Sequence, residues 1–189
     1  MGGIRNMNSI VIDTSTIQTI CAIFDDENEI FREHHIGATE HAEVLPKLVA
    51  AALKVAPVVD QVIVGMGPGP FTGLRVGITF AQVFAAAREI PWIGICSLDA
   101  IEVPLNDYIV ATDARRNEVY WAQYQSGKRI LGPAVGKSEL VPAGNRIGFT
   151  FTESLFPEPR LLLAQSRTQN VREPIYLRRP DAIPTSERG

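Results

Sequence analysis

Residues 67–77 read GPGPFTGLRVG, a run rich in glycine and proline between two apolar segments. Before it stands Val62-Ile63-Val64, which is typical of a buried strand. After it, residues 78–87 contain no Gly or Pro and many Ala and large apolar side chains. The order of strand, glycine-rich turn and helix is characteristic of α/β proteins. We therefore predict an α/β unit around this turn, with a strand over 61–66 and a helix over 71–87.

Glycine-rich turns between a strand and a helix often bind phosphate, but this one fits neither common motif. A P-loop needs G-x-x-x-x-G-K-[ST], and here no Lys follows Gly73. In the dinucleotide pattern G-x-G-x-x-G, the last position falls on Thr72. Pro68 and Pro70 also lack the N–H groups that a phosphate cradle would use. The turn therefore disfavours a phosphate site.

The predicted helix carries a stripe of small residues at every fourth position, namely Gly73, Gly77, Ala81 and Ala85. Residues four apart share one face of a helix, and a face of small residues lets another backbone come close. Two alternatives remain open. The stripe packs on this chain's own sheet or first helix, as amphipathic helices usually do, or it packs on a helix of a partner.

The segments on either side of the turn complete one unit and begin another. Alternating and apolar runs predict strands over 9–12, 19–24, 29–36 and 92–96, and three- and four-residue spacing predicts a helix over 40–56. The pattern restarts with strands over 107–112 and 118–124 and a third strand that opens at 129. In each unit the first strand ends at an aspartate in a polar turn, Asp13 and Asp113. The repetition predicts a duplicated α/β unit.

We place the two halves at residues 1–103 and 104–189. Residues 132–171 leave little room for two long helices, and Pro133, Pro142, Pro157 and Pro159 interrupt the room that remains. The second half is therefore predicted to be shortened. Residues 182–189 are predicted to form a frayed tail.

Composition argues for an ordinary globular protein rather than a nucleic-acid-binding or membrane protein. Of the 189 residues 46% are hydrophobic and 21% charged, and the formal net charge is −3. A chain that bound nucleic acid by itself would present a basic face. Cys21 and Cys96 lie in apolar runs and are predicted to be buried thiols. Residues 1–8 lack the apolar segment of a signal peptide, and no apolar run reaches membrane-spanning length, so we expect a cytoplasmic location.

The chain offers few candidates for catalysis or metal binding. Asp13 and Asp113 could position a metal or substrate at the mouth of a cleft, or each could accept hydrogen bonds from its own turn, which turn chemistry favours. His34 and His35 are adjacent on a predicted strand and point to opposite faces, and His41 lies beyond a Gly-containing turn. His41 is predicted to be a hydrogen-bonding residue at the start of the first helix. We predict no catalytic residue, cofactor or metal.

Five short blocks occur in order between residues 10 and 178. They are IDTST at 12–16, His41 with LP at 45–46, GPGPFTGLRVG at 67–77, TDAR at 112–115 with EVYW at 118–121, and PIYLR at 174–178. This set resembles the TsaB family, also called YeaZ, whose usual form has Ser where Pro70 stands. Because five ordered blocks agree, the resemblance is specific.

The resemblance implies a duplicated actin-like ATPase (ribonuclease H-like) fold and an accessory role in making threonylcarbamoyladenosine next to the anticodon of tRNA. It implies docking on the transferase TsaD through the two helices of the first half, with the ATPase TsaE binding the pair. It also implies self-pairing through the same helices when TsaD is absent, and only indirect contact with tRNA. The alternative is an actin-like small-molecule phosphotransferase, which would need an adenosine-binding loop. The expected interface residues are Leu45, Leu48, Val49, Ala52, Gly73, Val76, Gly77, Phe80, Ala81, Phe84 and Ala85.

Overall fold

A five-stranded sheet forms the centre of the first half of the chain. The computed structural model describes residues 6–178. The strands are β1 (Asn8–Asp13), β2 (Gln18–Asp25), β3 (Asn28–Ile36), β4 (Gln61–Gly65) and β5 (Trp92–Ile95), in the spatial order β3-β2-β1-β4-β5. β1 pairs antiparallel with β2 and parallel with β4, and β5 continues the parallel part. β1 and β4 are apolar almost throughout because both faces of the sheet are covered.

Two helices cover one face of this sheet. They are α1 (His41–Val55) and α2 (Phe71–Arg88), both close to the predicted bounds. Their inward side chains join alternate residues of β1, β2 and β4 in the larger core, which includes Ile10, Leu45 and Leu74. The residue after α2, Glu89, has a left-handed backbone conformation, and its N–H caps the last turn of the helix. The unit predicted around residues 67–77 is confirmed.

The second half repeats the first sheet without its helices. Its strands are β6 (Tyr108–Asp113), β7 (Glu118–Gln125), β8 (Lys128–Lys137) and β9 (Arg146–Gly148), in the order β8-β7-β6-β9. β6 is antiparallel to β7 and parallel to β9, the same arrangement as β1 with β2 and β4. Where the first half has α1, the second has a single 3₁₀ turn at Ser138–Leu140. The duplicated actin-like α/β fold with a shortened second half is confirmed.

A third helix crosses back to the first sheet. α3 (Pro159–Gln165) follows the second sheet in sequence, yet its Leu162 and Leu163 pack with Val11 and Ile63 on the face opposite α1 and α2. It is the only α-helix after residue 100 within the part that the structure describes. The division of the chain at residue 103 stays a prediction. α3 lies after this position in the sequence, yet its apolar side chains are buried against the sheet of the first half.

Polar contacts join the two halves at the linker after β5. Asp99 lies in a 3₁₀ turn (Ser97–Ala100), and its carboxylate accepts hydrogen bonds from the Tyr124 hydroxyl at 2.7 Å and the Gln169 amide at 2.9 Å. The Arg129 guanidinium is 3.1 Å from the same carboxylate. Because the Asp99 side chain is only 4% exposed, this ion pair is well shielded from water. The cluster fixes the second sheet against the linker.

The described C-terminal segment also spans both halves. The N–H of Val171 donates to the carbonyl of Gly94, and that of Ile175 donates to the carbonyl of Met66. Further on, the Arg178 guanidinium donates to the carbonyl of Ala114 and pairs with Glu118. The predicted tail over 182–189 lies outside the described residues. Within residues 6–178 no helix is both long and apolar enough to cross a membrane.

Candidate functional site

Three glycines of residues 67–77, namely Gly69, Gly73 and Gly77, lie against the turn after β1. A Cβ on Gly69 would lie 2.3 Å from the carbonyl oxygen of Ser15, and one on Gly77 would lie 2.3 Å from Oγ1 of Thr14. The Thr14 hydroxyl donates a 2.8 Å hydrogen bond to the carbonyl of Gly73. A larger side chain at Gly69 would collide with the backbone of Ser15, and one at Gly77 would collide with the side chain of Thr14. The motif therefore sets the position of α2 against the end of β1.

The small-residue stripe on α2 faces this chain's own core. Gly73, Gly77, Ala81 and Ala85 are all buried, and Gly73 lies against His41 and Thr14. Of the two alternatives that the sequence left open, packing on the chain's own sheet and first helix is therefore the correct one. The expectation that these four residues face a partner is wrong, because the turn after β1 and the first residue of α1 already occupy that side.

The four residues expected on the partner face of α1 are also buried. Leu45, Leu48, Val49 and Ala52 are between 0% and 8% exposed and belong to the core beneath α1. They follow the three- and four-residue spacing that turns one helix face toward a sheet. Their assignment to an interface is therefore also wrong, because these side chains pack in the chain's own core.

The remaining three expected residues belong to a different face of α2, which is apolar and accessible. Val76, Phe80 and Phe84 are partly buried, and Val83 beside them is 62% exposed. The Phe80 and Phe84 rings stack with centroids 5.9 Å apart. A shallow groove of about 730 Å³ runs along this face. We call it the α2 outer face, and its apolar members are Phe71, Val76, Phe80, Val83, Phe84 and Ala87.

Two arginines border the α2 outer face. The Arg75 guanidinium lies 5.1 Å from the centroid of the Phe71 ring, and that of Arg88 lies 4.5 Å from the centroid of Phe84. An apolar centre with aromatic rings and cationic edges is the composition of protein–protein interfaces. The sequence did not identify Phe71, Val83 or Ala87 as surface residues. The sequence did contain one indication of this surface, namely that α2 is apolar on nearly all sides. A helix that packs on its own sheet needs only one apolar face.

Asp13 is enclosed and fully hydrogen-bonded. One carboxylate oxygen accepts from the backbone N–H of Ser15 at 2.8 Å and from its hydroxyl at 2.7 Å. The other accepts from the Ser97 hydroxyl at 2.6 Å. Burial raises the pKa of Asp13, and the three donors act against that shift. The interpretation as a turn-capping carboxylate is confirmed, and the side chain also ties β1 to the linker between the halves.

Asp113 has the corresponding place in the second half. Its carboxylate accepts from the N–H of Arg115 at 2.7 Å, and the Arg115 guanidinium is 3.4 Å away. Arg115, Arg116 and Asn117 all have positive φ, so the turn is tight and left-handed. The turn interpretation is confirmed here too. Unlike Asp13, this carboxylate is partly exposed and borders a crevice between the sheets.

The histidines do not converge. His41 is the first residue of α1 and is buried, and its Nδ1 lies 2.7 Å from the Thr19 hydroxyl on β2. It therefore bonds across to the sheet instead of capping its helix. Burial, with His35 as a second cause, lowers the pKa of His41. Among residues 6–178 no group of three or more His, Cys, Asp or Glu is placed to hold a metal ion. Both cysteines are buried free thiols, as predicted.

Comparison with known proteins agrees with the resemblance seen in the motifs. The family model for TsaD, the tRNA N6-adenosine threonylcarbamoyltransferase, matches residues 35–155. An uncharacterized protein of Mycobacterium leprae is 41% identical over 201 residues, covering 93% of this chain and 56% of that protein. One of Mycobacterium tuberculosis is 38% identical over 207 residues, covering 97% and 98%.

A named relative is the tRNA threonylcarbamoyladenosine biosynthesis protein TsaB of Escherichia coli, 31% identical over 129 residues, covering 63% of this chain and 55% of that protein. The chain thus spans about half the length of this relative and of the Mycobacterium leprae protein. The structure of YeaZ from Pseudomonas aeruginosa superposes with a TM-score of 0.73 at 25% identity, covering 89% of this chain and all of that one. The chain belongs to the TsaB (YeaZ) family, within the wider group that the threonylcarbamoyltransferase model describes.

Proposed function

We propose that this protein is a non-catalytic subunit in threonylcarbamoyladenosine biosynthesis and docks on TsaD through the α2 outer face. The main support for this proposal is the α2 outer face itself, where Phe80, Val83 and Phe84 present an apolar surface along a groove of about 730 Å³. Contiguous exposed apolar surface of this kind marks interaction sites in proteins. The names of relatives such as Escherichia coli TsaB supply the pathway.

Two further observations support the choice of partner and the lack of catalysis. The family model for TsaD matches this chain over 121 residues, so the two proteins share an architecture and can pair helix against helix. Of the two candidate carboxylates, Asp13 is 1% exposed and saturated by its own donors, and Asp113 accepts the N–H of Arg115 in its own turn. In this proposal TsaE binds the assembled pair, tRNA is contacted indirectly, and the protein acts in the cytoplasm.

The test is co-purification with TsaD using a charge placed on the α2 outer face. Val83→Glu should leave the fold intact, since the side chain is already 62% exposed. It should weaken TsaD binding by at least about 100-fold, because burying an unpaired carboxylate costs about 3–5 kcal/mol. The matched control is Ile130→Glu on β8 of the second sheet, where the side chain is 55% exposed.

The control variant should bind TsaD as the wild type does, and both variants should keep wild-type circular dichroism. If Val83→Glu binds TsaD with unchanged affinity, the α2 outer face is not the docking surface. Light scattering on the isolated chain addresses self-pairing through the same face, since Val83→Glu should then also convert a dimer to a monomer.

A further inference from the structure

A second pocket lies beside the first residues of α2, where the two halves of the chain meet. Its volume is about 330 Å³. The first half supplies the end of the glycine-rich turn and residues 71–72, and the second half supplies the turn after β6. The described C-terminal segment adds Tyr176 and Arg178. We call this space the cleft pocket.

The cleft pocket is continuous with the α2 outer face. Phe71 and Thr72 line both the pocket and the groove along α2. The ring centroids of Phe71 and Tyr176 are 4.9 Å apart, so aromatic surface joins the helix to the C-terminal segment. Tyr176 is 39% exposed and can itself be covered by a partner. A partner seated on the α2 outer face therefore also adjoins the cleft pocket.

The lining of the cleft pocket is cationic. It contains Arg115, Arg116 and Arg178, and among residues 6–178 no aspartate or glutamate lines it. The Arg178 guanidinium pairs with Glu118, and that of Arg115 is 3.4 Å from the Asp113 carboxylate. These two guanidiniums are thus held in place by carboxylates that are not part of the lining. An anionic group that enters the pocket would meet guanidinium groups on its walls.

The turn after β6 holds two of these arginines in an unfavourable backbone conformation. Arg115 and Arg116 have φ of 64° and 54°, in the left-handed region. Asparagine, which stands next at position 117 with φ of 59°, adopts this region readily, whereas arginine does so at a cost. Strained backbone of this kind clusters at functional sites. The turn therefore indicates that the two arginine side chains serve a purpose that glycine or asparagine would not.

An acidic protein segment fits the cleft pocket better than nucleic acid does. The pocket adjoins the apolar α2 outer face, and an apolar centre with a charged rim is the composition of protein–protein interfaces. The formal net charge of the chain is −3, which opposes the approach of a phosphate backbone. Guanidinium groups bind carboxylates through two parallel hydrogen bonds. An aspartate or glutamate at the edge of an apolar partner surface therefore satisfies both parts.

We propose that the docking surface for TsaD continues from the α2 outer face into the cleft pocket, where Arg115 and Arg116 receive an aspartate or glutamate of the partner. The apolar groove supplies contact area, and the charged contact fixes the position of the partner along α2. This contact rests on the proposed function, because the same partner occupies both parts of the surface.

The first test measures TsaD binding by Arg116→Asn at low and high salt. Asparagine adopts the left-handed backbone readily, so the variant should keep wild-type circular dichroism. Binding at low salt should weaken about tenfold or more, because a hydrogen bond between charged groups is lost. The difference from the wild type should shrink at about 1 M salt, where the Debye length is about 3 Å. The matched control is Arg167→Asn after α3, which removes a positive charge from a side chain that is 62% exposed and should bind as the wild type does.

Comparison with Val83→Glu separates failure of this contact from failure of the proposed function. If Val83→Glu weakens TsaD binding and Arg116→Asn does not, the α2 outer face stands and the contact in the cleft pocket is overturned. If neither variant weakens binding, both proposals are overturned. Should Arg116→Asn lower the binding of the isolated chain to tRNA and leave TsaD binding unchanged, the pocket serves nucleic acid and this proposal is likewise wrong.

A cross-linking experiment identifies the partner's group directly. Arg116→Lys keeps the positive charge and introduces an amine, which a carbodiimide joins to a carboxylate in contact with it. Mass spectrometry of the complex should then find an aspartate or glutamate of TsaD attached at this position. The wild-type complex is the control, since a guanidinium does not react in this way. A complex that forms with the variant but yields no such cross-link would overturn the proposal.

Discussion

Replacing Gly77 by alanine tests which side of α2 packs on the rest of the chain. If the stripe that contains Gly77 is buried, the added Cβ destabilises the fold, whereas on an exposed side alanine would stabilise the helix. A Cβ at Gly77 would lie 2.3 Å from Thr14 Oγ1 and 3.3 Å from Thr14 Cβ, and the first distance is shorter than real Cβ contacts allow. Thr14 is buried, and its hydroxyl donates to the carbonyl of Gly73 at 2.8 Å. The threonine must therefore rotate or α2 must shift.

The magnitude follows from three competing effects. Overpacking costs about 1–3 kcal/mol, and loss of the Thr14 hydrogen bond costs about 0.5–1.5 kcal/mol. Alanine gains about 1 kcal/mol over glycine within a helix. We expect Gly77→Ala to lower the free energy of unfolding by about 2 kcal/mol, which corresponds to a fall in Tm of about 4–8 °C for a chain of this size.

Urea denaturation of a double-mutant cycle measures the effect and its cause. Thr14→Ala removes the clashing hydroxyl, so the double variant should be at least about 1 kcal/mol more stable than the sum of the single changes predicts. Gly136→Ala on β8 is the matched control, since no atom lies within 4 Å of its Cβ position, and its effect should stay within about 0.5 kcal/mol. A Gly77→Ala protein as stable as the wild type, with an additive cycle, would refute the reasoning and return the stripe to the candidate interfaces.

Two further predictions concern buried titratable groups. Because the pKa of His41 is lowered by burial, the fold favours its neutral form, so its contribution to stability is present above the ordinary value of 6.5 and is lost as the pH falls below it. In urea denaturation from about pH 7 to pH 5, the stability advantage of the wild type over His41→Asn should shrink, and a constant advantage would contradict the assignment. Burial also raises the pKa of Cys21 to about 12 and that of Cys96 to about 11. Ellman's reagent at pH 8 should therefore titrate no thiol in the native protein and two in denaturant, whereas rapid native labelling would show that a strand opens.

Local pattern was sufficient for the order of the strands and helices from β1 to β8, but it did not predict β9 or α3. The strand before Asp13 and the helices over 41–55 and 71–88 lie within one or two residues of their predicted bounds. Each is fixed by information within its own segment, namely an apolar run or a three- and four-residue spacing. The shortening of the second half could also be predicted from the sequence, because its length and its prolines leave little room for long helices. The capping role of Asp13 and Asp113 followed from local turn chemistry.

The contacts of α3 and Asp99 could not be read from the sequence. α3 joins the first sheet although it follows the second, and Asp99 collects partners from β7, β8 and the segment after α3. Each of these contacts joins residues that are far apart along the chain. Neither periodicity nor turn chemistry carries information about such pairs, because both are set by near neighbours.

The direction in which α2 faces illustrates the same division most clearly. The sequence determined that residues 71–88 form a helix and that Gly73, Gly77, Ala81 and Ala85 share one side. Only the tertiary structure decided that this side meets Thr14 and the sheet, leaving Phe80, Val83 and Phe84 toward the surface. The physical reason is that α2 is apolar on both sides, so hydrophobicity alone does not orient it. The turn after β1 orients the helix, because it approaches α2 so closely that only the side with small residues leaves space for Thr14.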